Sequence, residues 1–109
     1  MKAKLLIVDD DPDIATMLED RLQASDYGTV LARDGVEALE MLEQEAPHLM
    51  LLDLDMPRLT GLEVLKRLPK TRLAQDLPVI VMTAHASIDA AVEAMKTGAY
   101  DFLTKPLDK

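Results

Sequence analysis

Three short, uninterrupted apolar runs constrain the fold of this chain more than any other feature of its sequence. They cover residues 5–8, 49–52 and 79–82 and contain only Leu, Ile, Val and Met. Saturated runs of this length are typical of strands that are covered on both faces, as in a parallel sheet. Two weaker segments, residues 29–32 and 100–103, mix polar and apolar positions, so we expect them at the edges of the sheet.

The gaps between these segments contain apolar residues at three- and four-residue intervals, which is the spacing of one helix face. The first such stripe starts at Ile14, and Asp11 is placed to cap that helix. Strands that alternate with helices predict an α/β fold. With the saturated strands in the centre, the pattern fits a flavodoxin-like, doubly wound parallel sheet of five strands in the order 2-1-3-4-5. We expect residues 1–109 to form a single domain.

Composition and charge narrow the functional classes. Hydrophobic residues make up 49% of the chain, which excludes intrinsic disorder, and the absence of cysteine excludes disulfides and thiolate metal sites. The chain has 12 basic and 20 acidic residues and a formal charge of -8, which argues against direct binding to nucleic acid or to an anionic membrane. The run at residues 5–8 is too short for a secretory signal or a membrane span. We expect a cytoplasmic protein.

Four of the predicted strands end in polar residues that the apolar pattern does not require. Asp9 and Asp10 follow the first strand, Asp53 the third, Thr83 the fourth, and Lys105 the fifth. Because the ligand crevice of such sheets lies at the carboxyl ends of the strands, these residues should converge. Two carboxylates 4 Å apart repel by roughly 4 kcal/mol at an effective dielectric near 20. Three acids therefore predict a divalent cation, and oxygen ligands favour Mg²⁺ over zinc.

This set of groups suits phosphoryl transfer, which needs cations around the transferred oxygens and a nucleophile in line. A carboxylate can be that nucleophile, and we assign the role to Asp53, which would form an aspartyl phosphate. Lys105 is long enough to reach Asp53 across two strand spacings, about 10 Å. Thr83 is on the adjacent strand, and the loop at Asp55 can offer a backbone carbonyl to the metal.

Taken together, these motifs resemble the receiver domains of response regulators in two-component signal transduction. The matching elements are Val8-Asp9-Asp10-Asp11, Leu52-Asp53-Leu54-Asp55-Met56-Pro57, Thr60-Gly61, Met82-Thr83-Ala84 and Gly98-Ala99-Tyr100-Asp101-Phe102-Leu103-Thr104-Lys105-Pro106. The resemblance covers nearly the whole chain in the family's order and spacing. It implies that Asp53 accepts phosphate from a sensor histidine kinase or a histidine phosphotransfer protein. It also implies that Mg²⁺ is held by Asp9, Asp10 and Asp53, with the backbone carbonyl of Asp55 as a further ligand.

The resemblance also implies how the phosphoryl group is bound and how its presence is signalled. Thr83, Ala84 and Lys105 would contact the phosphoryl group. The hydroxyl of Thr83 would then turn inward, and Phe102 would rotate into the space that it leaves. This movement would change the surface of the fourth helix and fifth strand, which would control an output partner.

Two further side chains would set the lifetime of the phosphate. Asp55 is two residues beyond Asp53, and His85 is two residues beyond Thr83. In relatives, side chains at these two positions flank the route of the attacking water, so we expect Asp55 and His85 to modulate dephosphorylation. The chain would promote its own phosphorylation and dephosphorylation without turnover of a separate substrate, so we class it as a signalling module and not as an enzyme.

One departure from the family concerns the end of the chain. The family normally has a fifth helix after the fifth strand, whereas this sequence stops at Lys109. That helix would lie beside the first helix, on the face opposite the other three. We therefore expect a domain truncated before its last helix, with an exposed apolar patch that favours a homodimer or cover from elsewhere. An output domain would also lie outside this chain.

Three alternatives from other classes compete with this interpretation. A protein-binding module that works without phosphorylation would use the same fold. A phosphohydrolase of the haloacid-dehalogenase type has an Asp-x-Asp motif like Asp53-Leu54-Asp55, but there the motif follows the first strand, whereas here it follows the third. A flavodoxin shares the fold, but Asp9-Asp10-Asp11 would repel a flavin phosphate.

Overall fold

Strands and helices alternate along the whole described part of the chain. The computed structural model describes residues 3–56, 59–68, 77–84 and 88–105. The elements are β1 (Lys4–Val8), α1 (Pro12–Ala24), β2 (Gly28–Ala32), α2 (Gly35–Glu45), β3 (Leu49–Asp53), α3 (Gly61–Arg67), β4 (Val79–Ala84), α4 (Ile88–Thr97) and β5 (Asp101–Lys105). None of the helices in these ranges has both the length and the hydrophobicity that a bilayer crossing requires.

The five strands form one parallel sheet in the order β2-β1-β3-β4-β5, which confirms the predicted fold. The three saturated runs form the central strands β1, β3 and β4, and the two mixed segments form the edges. Val8 is in register with Leu52, and Leu52 with Val81. The carboxyl ends of the central strands therefore reach the same edge of the sheet, where polar residues follow them.

Helices cover the two faces of the sheet unequally. One large core lies under α2, α3 and α4 and includes Leu6, Leu52 and Val81. A smaller core lies under α1 and includes Ile7 and Met82. On this second face α1 contacts β1 and β2. The arrangement confirms the prediction that the first helix lies opposite the other three.

The face under α1 also carries apolar surface beside β4 and β5. Leu103 of β5 is in register with the buried Met82, yet 42% of its surface is exposed. A groove of about 380 Å³ lies on the same face, near the amino ends of the strands. Its lining includes Leu5, Leu22, Tyr27, Leu49, Leu51 and Ile80. In the described part of the chain, this face therefore has partly exposed apolar surface at Leu103 and in the groove.

Local hydrogen bonds fix where two of the helices begin. Asp11 caps α1, because its carboxylate accepts the N–H of Asp13 at 2.9 Å, as the sequence predicted. Thr60 and Glu63 form a capping box at the start of α3, in which each side chain accepts the other residue's backbone N–H. These caps hold the amino ends of α1 and α3 at the same edge of the sheet as the polar strand ends.

The observed ends of β4 and β5 correct the predicted ones. The apolar pattern placed these ends at residues 82 and 103, but Thr83 pairs with Thr104, and Ala84 with Lys105. Backbone pairing does not need apolar side chains, so both strands continue past the end of the apolar signal. Thr83 and Lys105 are therefore strand residues and do not belong to loops.

Candidate metal centre at the carboxyl edge of the sheet

Three carboxylates converge at the carboxyl edge of the sheet. Asp9, Asp10 and Asp53 each have an oxygen within 4.8 Å of an oxygen of the other two. Asp9 and Asp53 are each only 1% exposed, whereas Asp10 is open to solvent. The three acids that the sequence predicted to converge therefore do so in the structure.

Alternation of side chains along the strands explains this convergence. Successive strand residues point to opposite faces, so residues two positions apart point to the same face. Ile7 and Leu51 are in register and both belong to the core under α1. Asp9 and Asp53 follow each of them by two positions, so their carboxylates lie side by side on that face where the apolar layer ends.

A single ammonium group lies between the two buried acids. Lys105 Nζ is 3.0 Å from Asp9 Oδ2 and 3.2 Å from Asp53 Oδ2, and the Lys105 side chain is 17% exposed. Lys105 follows Leu103 by two positions, so it lies on the same sheet face as both carboxylates. Its long side chain extends from β5 past β4 to Asp53 at the end of β3, as the sequence predicted.

The pKa values of Asp53 and Lys105 reflect the excess of negative over positive charge in the cluster. Burial raises the pKa of Asp53 from its usual 3.8 to about 6, against the opposing effect of the Asp55 N–H, and the negative charge of Asp9 adds to the increase. Lys105 works in the opposite direction on Asp53. For Lys105 itself, burial lowers the pKa, but the ion pairs with Asp9 and Asp53 outweigh it and hold the pKa above its usual value. One cation is thus shared among more than one acid.

The lone pairs of the two buried carboxylates are only partly used. Asp9 Oδ1 accepts the N–H of Asp11 at 2.9 Å, and Asp53 Oδ1 accepts the N–H of Asp55 at 3.1 Å. Within the described chain, Asp9 Oδ2 is buried and accepts no hydrogen bond of adequate geometry, although it lies close to the Lys105 ammonium. Excess negative charge and an all-oxygen set of donors fit a hard divalent cation such as Mg²⁺.

The other predicted site residues lie around this cluster. Thr83 is completely buried in β4, and Ala84 follows it in register with Lys105. Phe102 is in register with Val81, which places Phe102 and Thr83 on the same sheet face, the one that α4 covers. Phe102 is 36% exposed. His85 lies outside the described residues.

Two features of the site were not predicted from the sequence. The first is the pair of backbone donors, Asp11 N–H and Asp55 N–H, which hold one oxygen of Asp9 and of Asp53. An Asp that hydrogen-bonds the backbone two residues ahead is a common turn motif, so the two Asp-x-Asp pairs carried a usable signal. The second is a crevice of about 390 Å³ beside the carboxylates. Its lining includes Asp9, Asp10, Thr16, Arg33 and Glu37. Arg33 lies in the loop after β2 and Glu37 in α2, and neither residue belongs to a motif recognised in the sequence.

Known proteins resemble this chain over nearly its whole length. The family model described as "Response regulator receiver domain" matches residues 5–109. The response regulator MprA of Mycobacterium ulcerans (strain Agy99) is 43% identical over 106 residues, a match that covers 97% of this chain and 45% of that protein. The chain thus spans less than half the length of this curated relative.

Solved structures resemble the fold closely. The chemotaxis protein CheY4 of Vibrio cholerae has a TM-score of 0.91 at 30% identity, and the match covers 99% of this chain and 90% of that one. NtrX of Brucella abortus has a TM-score of 0.90 at 36% identity, with 99% of this chain and 24% of that chain covered. The similarity therefore extends from a chain of nearly the same length to a much longer one.

Proposed function

Because this chain belongs to the receiver-domain family of two-component response regulators, we propose that Asp53 accepts a phosphoryl group from the phosphohistidine of a sensor histidine kinase or a histidine phosphotransfer protein. The observation that carries this proposal is the buried Asp53 carboxylate, which lies beside Asp9 and only 3.2 Å from the Lys105 ammonium. The product would be an aspartyl phosphate that signals through the surface of α4 and β5.

The same acids are suited to hold Mg²⁺. Asp9, Asp10 and Asp53 would bind it through carboxylate oxygens, and Asp55 through its backbone carbonyl. When bound, Mg²⁺ supplies positive charge to the oxygens of the phosphoryl group. The close approach of three carboxylates, with one ammonium shared by the two buried ones, supports this assignment.

In the transfer step, Asp53 acts as the nucleophile. The N–H of Asp55 holds Oδ1 at 3.1 Å and so fixes the plane of the carboxylate. An Asp53 oxygen attacks phosphorus, the phosphorus–nitrogen bond to the donor histidine breaks, and the leaving imidazole nitrogen takes up a proton. The negative carboxylate becomes an acyl phosphate that carries about 1.5–2 negative charges.

Lys105, Thr83 and Ala84 would bind the new group. The Lys105 ammonium already lies between two carboxylates, so a small movement would bring it to a phosphoryl oxygen. Thr83 would donate its hydroxyl and Ala84 its backbone N–H from the adjacent strand. These donors stabilise the charge that develops during transfer and then hold the product.

Reorientation of Thr83 would convert the modification into a surface change. Thr83 is buried on the sheet face that Phe102 shares, and Phe102 is partly exposed at the edge strand. If the hydroxyl turns to the phosphate, the Phe102 ring can move inward. The adjoining surface already exposes Val92 and Met95 of α4, which suit a downstream output domain or effector as partner. The two surface states would be in equilibrium, and phosphorylation would shift their populations.

Dephosphorylation would be tuned by side chains at the rim of the site. Asp55 is exposed and adjoins the acceptor through its backbone N–H, so its carboxylate can reach the path of an attacking water. His85, which lies outside the described residues, would act on the same step, as the resemblance implies. Replacement of either residue by alanine would change the phosphate lifetime without abolishing phosphorylation.

Intact-mass spectrometry after incubation with acetyl phosphate and Mg²⁺ tests the proposal. The wild-type chain should gain the mass of one phosphoryl group, and Asp53→Asn should gain none. Asp20→Asn, which changes an exposed acid on α1, is the matched control and should behave like the wild type. An unmodified wild type would instead favour a protein-binding module that works without phosphorylation, and steady release of phosphate from a phosphomonoester would favour a phosphohydrolase.

A further inference from the structure

The first residue of α2, Gly35, packs directly against the loop that connects β3 to α3. A Cβ atom at Gly35 would overlap the carbonyl oxygen of Leu59, and would lie 2.8 Å from both Leu59 Cβ and Val64 Cγ2. Real Cβ atoms essentially never approach other atoms this closely. Since one of the obstructing atoms belongs to the backbone, any larger residue at position 35 would have to displace the loop.

That loop is anchored to the core on both sides of Asp55. Leu54, Met56 and Leu59 are 4%, 7% and 8% exposed and belong to the core under α2, α3 and α4. Asp55 alone among these four residues is exposed. The N–H of Gly61 donates to the carbonyl of Leu54 at 3.3 Å, which ties the start of the loop to the start of α3. Because Leu59 shares this core with Leu54 and Met56, which flank Asp55, a displacement of Leu59 would reach Asp55 through these contacts.

The amino end of α2 is itself held firmly. Asp34 caps the helix by accepting the N–H of Glu37 at 2.9 Å. The Glu37 carboxylate in turn accepts the backbone N–H of Arg33 at 2.6 Å. Ala38, in the first turn, is completely buried. Because these contacts hold the helix end in place, an added Cβ at Gly35 could not be accommodated without displacing Leu59.

We propose that Gly35 is a positioning residue for the metal site. By allowing α2 to touch the Leu59 backbone, it fixes the loop that presents Asp55 to the cluster. One part of this link is the hydrogen bond from Asp55 N–H to Asp53 Oδ1, at 3.1 Å. The other part, the Asp55 carbonyl as a metal ligand, rests on the proposed function. Gly35 touches neither the metal nor the acceptor and acts only through the loop.

The test is a titration of the chain with Mg²⁺ alone. NMR spectra monitor binding through the amide chemical shifts of Asp10, Asp53 and Asp55. Gly35→Ala should bind Mg²⁺ on the order of tenfold more weakly than the wild type, the lower end of the loss seen when outer-sphere support of a metal site is removed. Gly98→Ala is the matched control. Gly98 has a φ of 126°, and its Cβ would meet nothing within 4 Å, so this change strains the backbone far from the loop. It should lower the melting temperature and leave the Mg²⁺ affinity unchanged.

The outcomes separate this inference from the proposed function. If the wild type binds Mg²⁺ and a folded Gly35→Ala binds it equally well, the positioning role is wrong and the proposed function stands. If the wild type itself does not bind Mg²⁺, the proposed function fails first. Should Gly35→Ala not fold, Leu59→Val tests the other half of the proposal, because it removes one methylene from the buried side chain that anchors the loop. A folded Leu59→Val with wild-type Mg²⁺ affinity would equally overturn the positioning role of this loop.

Discussion

At the scale of single residues, Asp53 is held in a site that opposes its charge. Its carboxylate is almost fully buried and adjoins Asp9, and the Lys105 ammonium is shared between both acids. A buried carboxylate in such a position is costly to the folded state, but in the proposed role of phosphoryl acceptor it would be shielded from water, which would compete for the phosphoryl group. Functional placement and stability therefore oppose each other at this residue.

This opposition predicts a pH-dependent gain in stability for Asp53→Asn. The pKa of Asp53 is raised from 3.8 to about 6, so the folded state binds the proton more tightly than the unfolded state between these values. Stability therefore falls as pH rises through this window, and the cost is complete above pH 6. Without metal, Asp53→Asn should be more stable than the wild type at pH 7.5 by roughly 1–2 kcal/mol after allowance for solvent screening. Urea unfolding at pH 7.5 and pH 5 should show a smaller gain at the lower pH; an equal gain at both would contradict the shifted pKa.

Replacement of Lys105 by methionine should destabilise the metal-free chain by about 2 kcal/mol, because it leaves two buried carboxylates without a cation. Added Mg²⁺ should restore part of the loss. Lys4→Met is the matched control, since Lys4 pairs with Glu45 at 3.1 Å on a more exposed part of the surface and should cost at most about 1 kcal/mol. Thermal melts with EDTA or MgCl₂ measure both variants. Equal losses for the two would show that the cluster does not depend on Lys105.

At the scale of elements, the alternation of side chains along parallel strands builds the site. Along each strand, every second side chain points to the face under α1. This series is apolar until a polar residue ends it, as Asp53 does after Leu51. The opposite orientation delivers Thr83 and Phe102 to the face under α4. The acid cluster and the residues of the proposed switch therefore lie on opposite faces of the sheet, although they are close to each other along the strands.

The start of α3 depends on the capping box of Thr60. Its hydroxyl accepts the N–H of Glu63 at 3.3 Å, and the Glu63 carboxylate accepts the N–H of Thr60 at 3.0 Å. Thr60→Ala should therefore lower the free energy of unfolding by about 1 kcal/mol. Thr16→Ala, at an exposed position inside α1, should not lower it, because alanine favours a helix interior. Chemical denaturation of both variants measures the difference, and an equal effect would argue against the cap.

Helices and strands were predictable from the sequence where the local pattern of apolar and polar residues determines their position. Saturated apolar runs placed β1, β3 and β4, and the polar residues after them placed the acids. The apolar signal stops at Met82 and Leu103, whereas backbone pairing continues to Ala84 and Lys105, so the strand ends were not predictable. The contact of Gly35 with Leu59 was equally hidden, because it depends on how two distant segments pack.

At the scale of the whole molecule, the two faces of the sheet differ in how well they are covered. Three helices pack over one face, while α1 contacts β1 and β2 on the other. In the described residues, the face under α1 carries the partly exposed Leu103 and the apolar groove of about 380 Å³. We propose that this face supports self-association, because exposed apolar patches favour association.

Sedimentation velocity over a range of concentrations measures this self-association. The weight-average sedimentation coefficient should rise with concentration for the wild type and rise less for Leu103→Ser. Val92→Ser, which changes an exposed residue of α4 on the other face, should behave like the wild type. A wild-type chain that sediments as a monomer at every concentration would contradict the proposed homodimer.

The central claim is that one buried carboxylate, and neither of its two acidic neighbours, receives the phosphoryl group. Peptide mapping by tandem mass spectrometry after brief exposure to acetyl phosphate and Mg²⁺ locates the modified residue directly. The account predicts an acyl phosphate on Asp53 that does not form when EDTA replaces Mg²⁺. A phosphate on Asp9 or Asp10, or one that forms equally well without the metal, would contradict it.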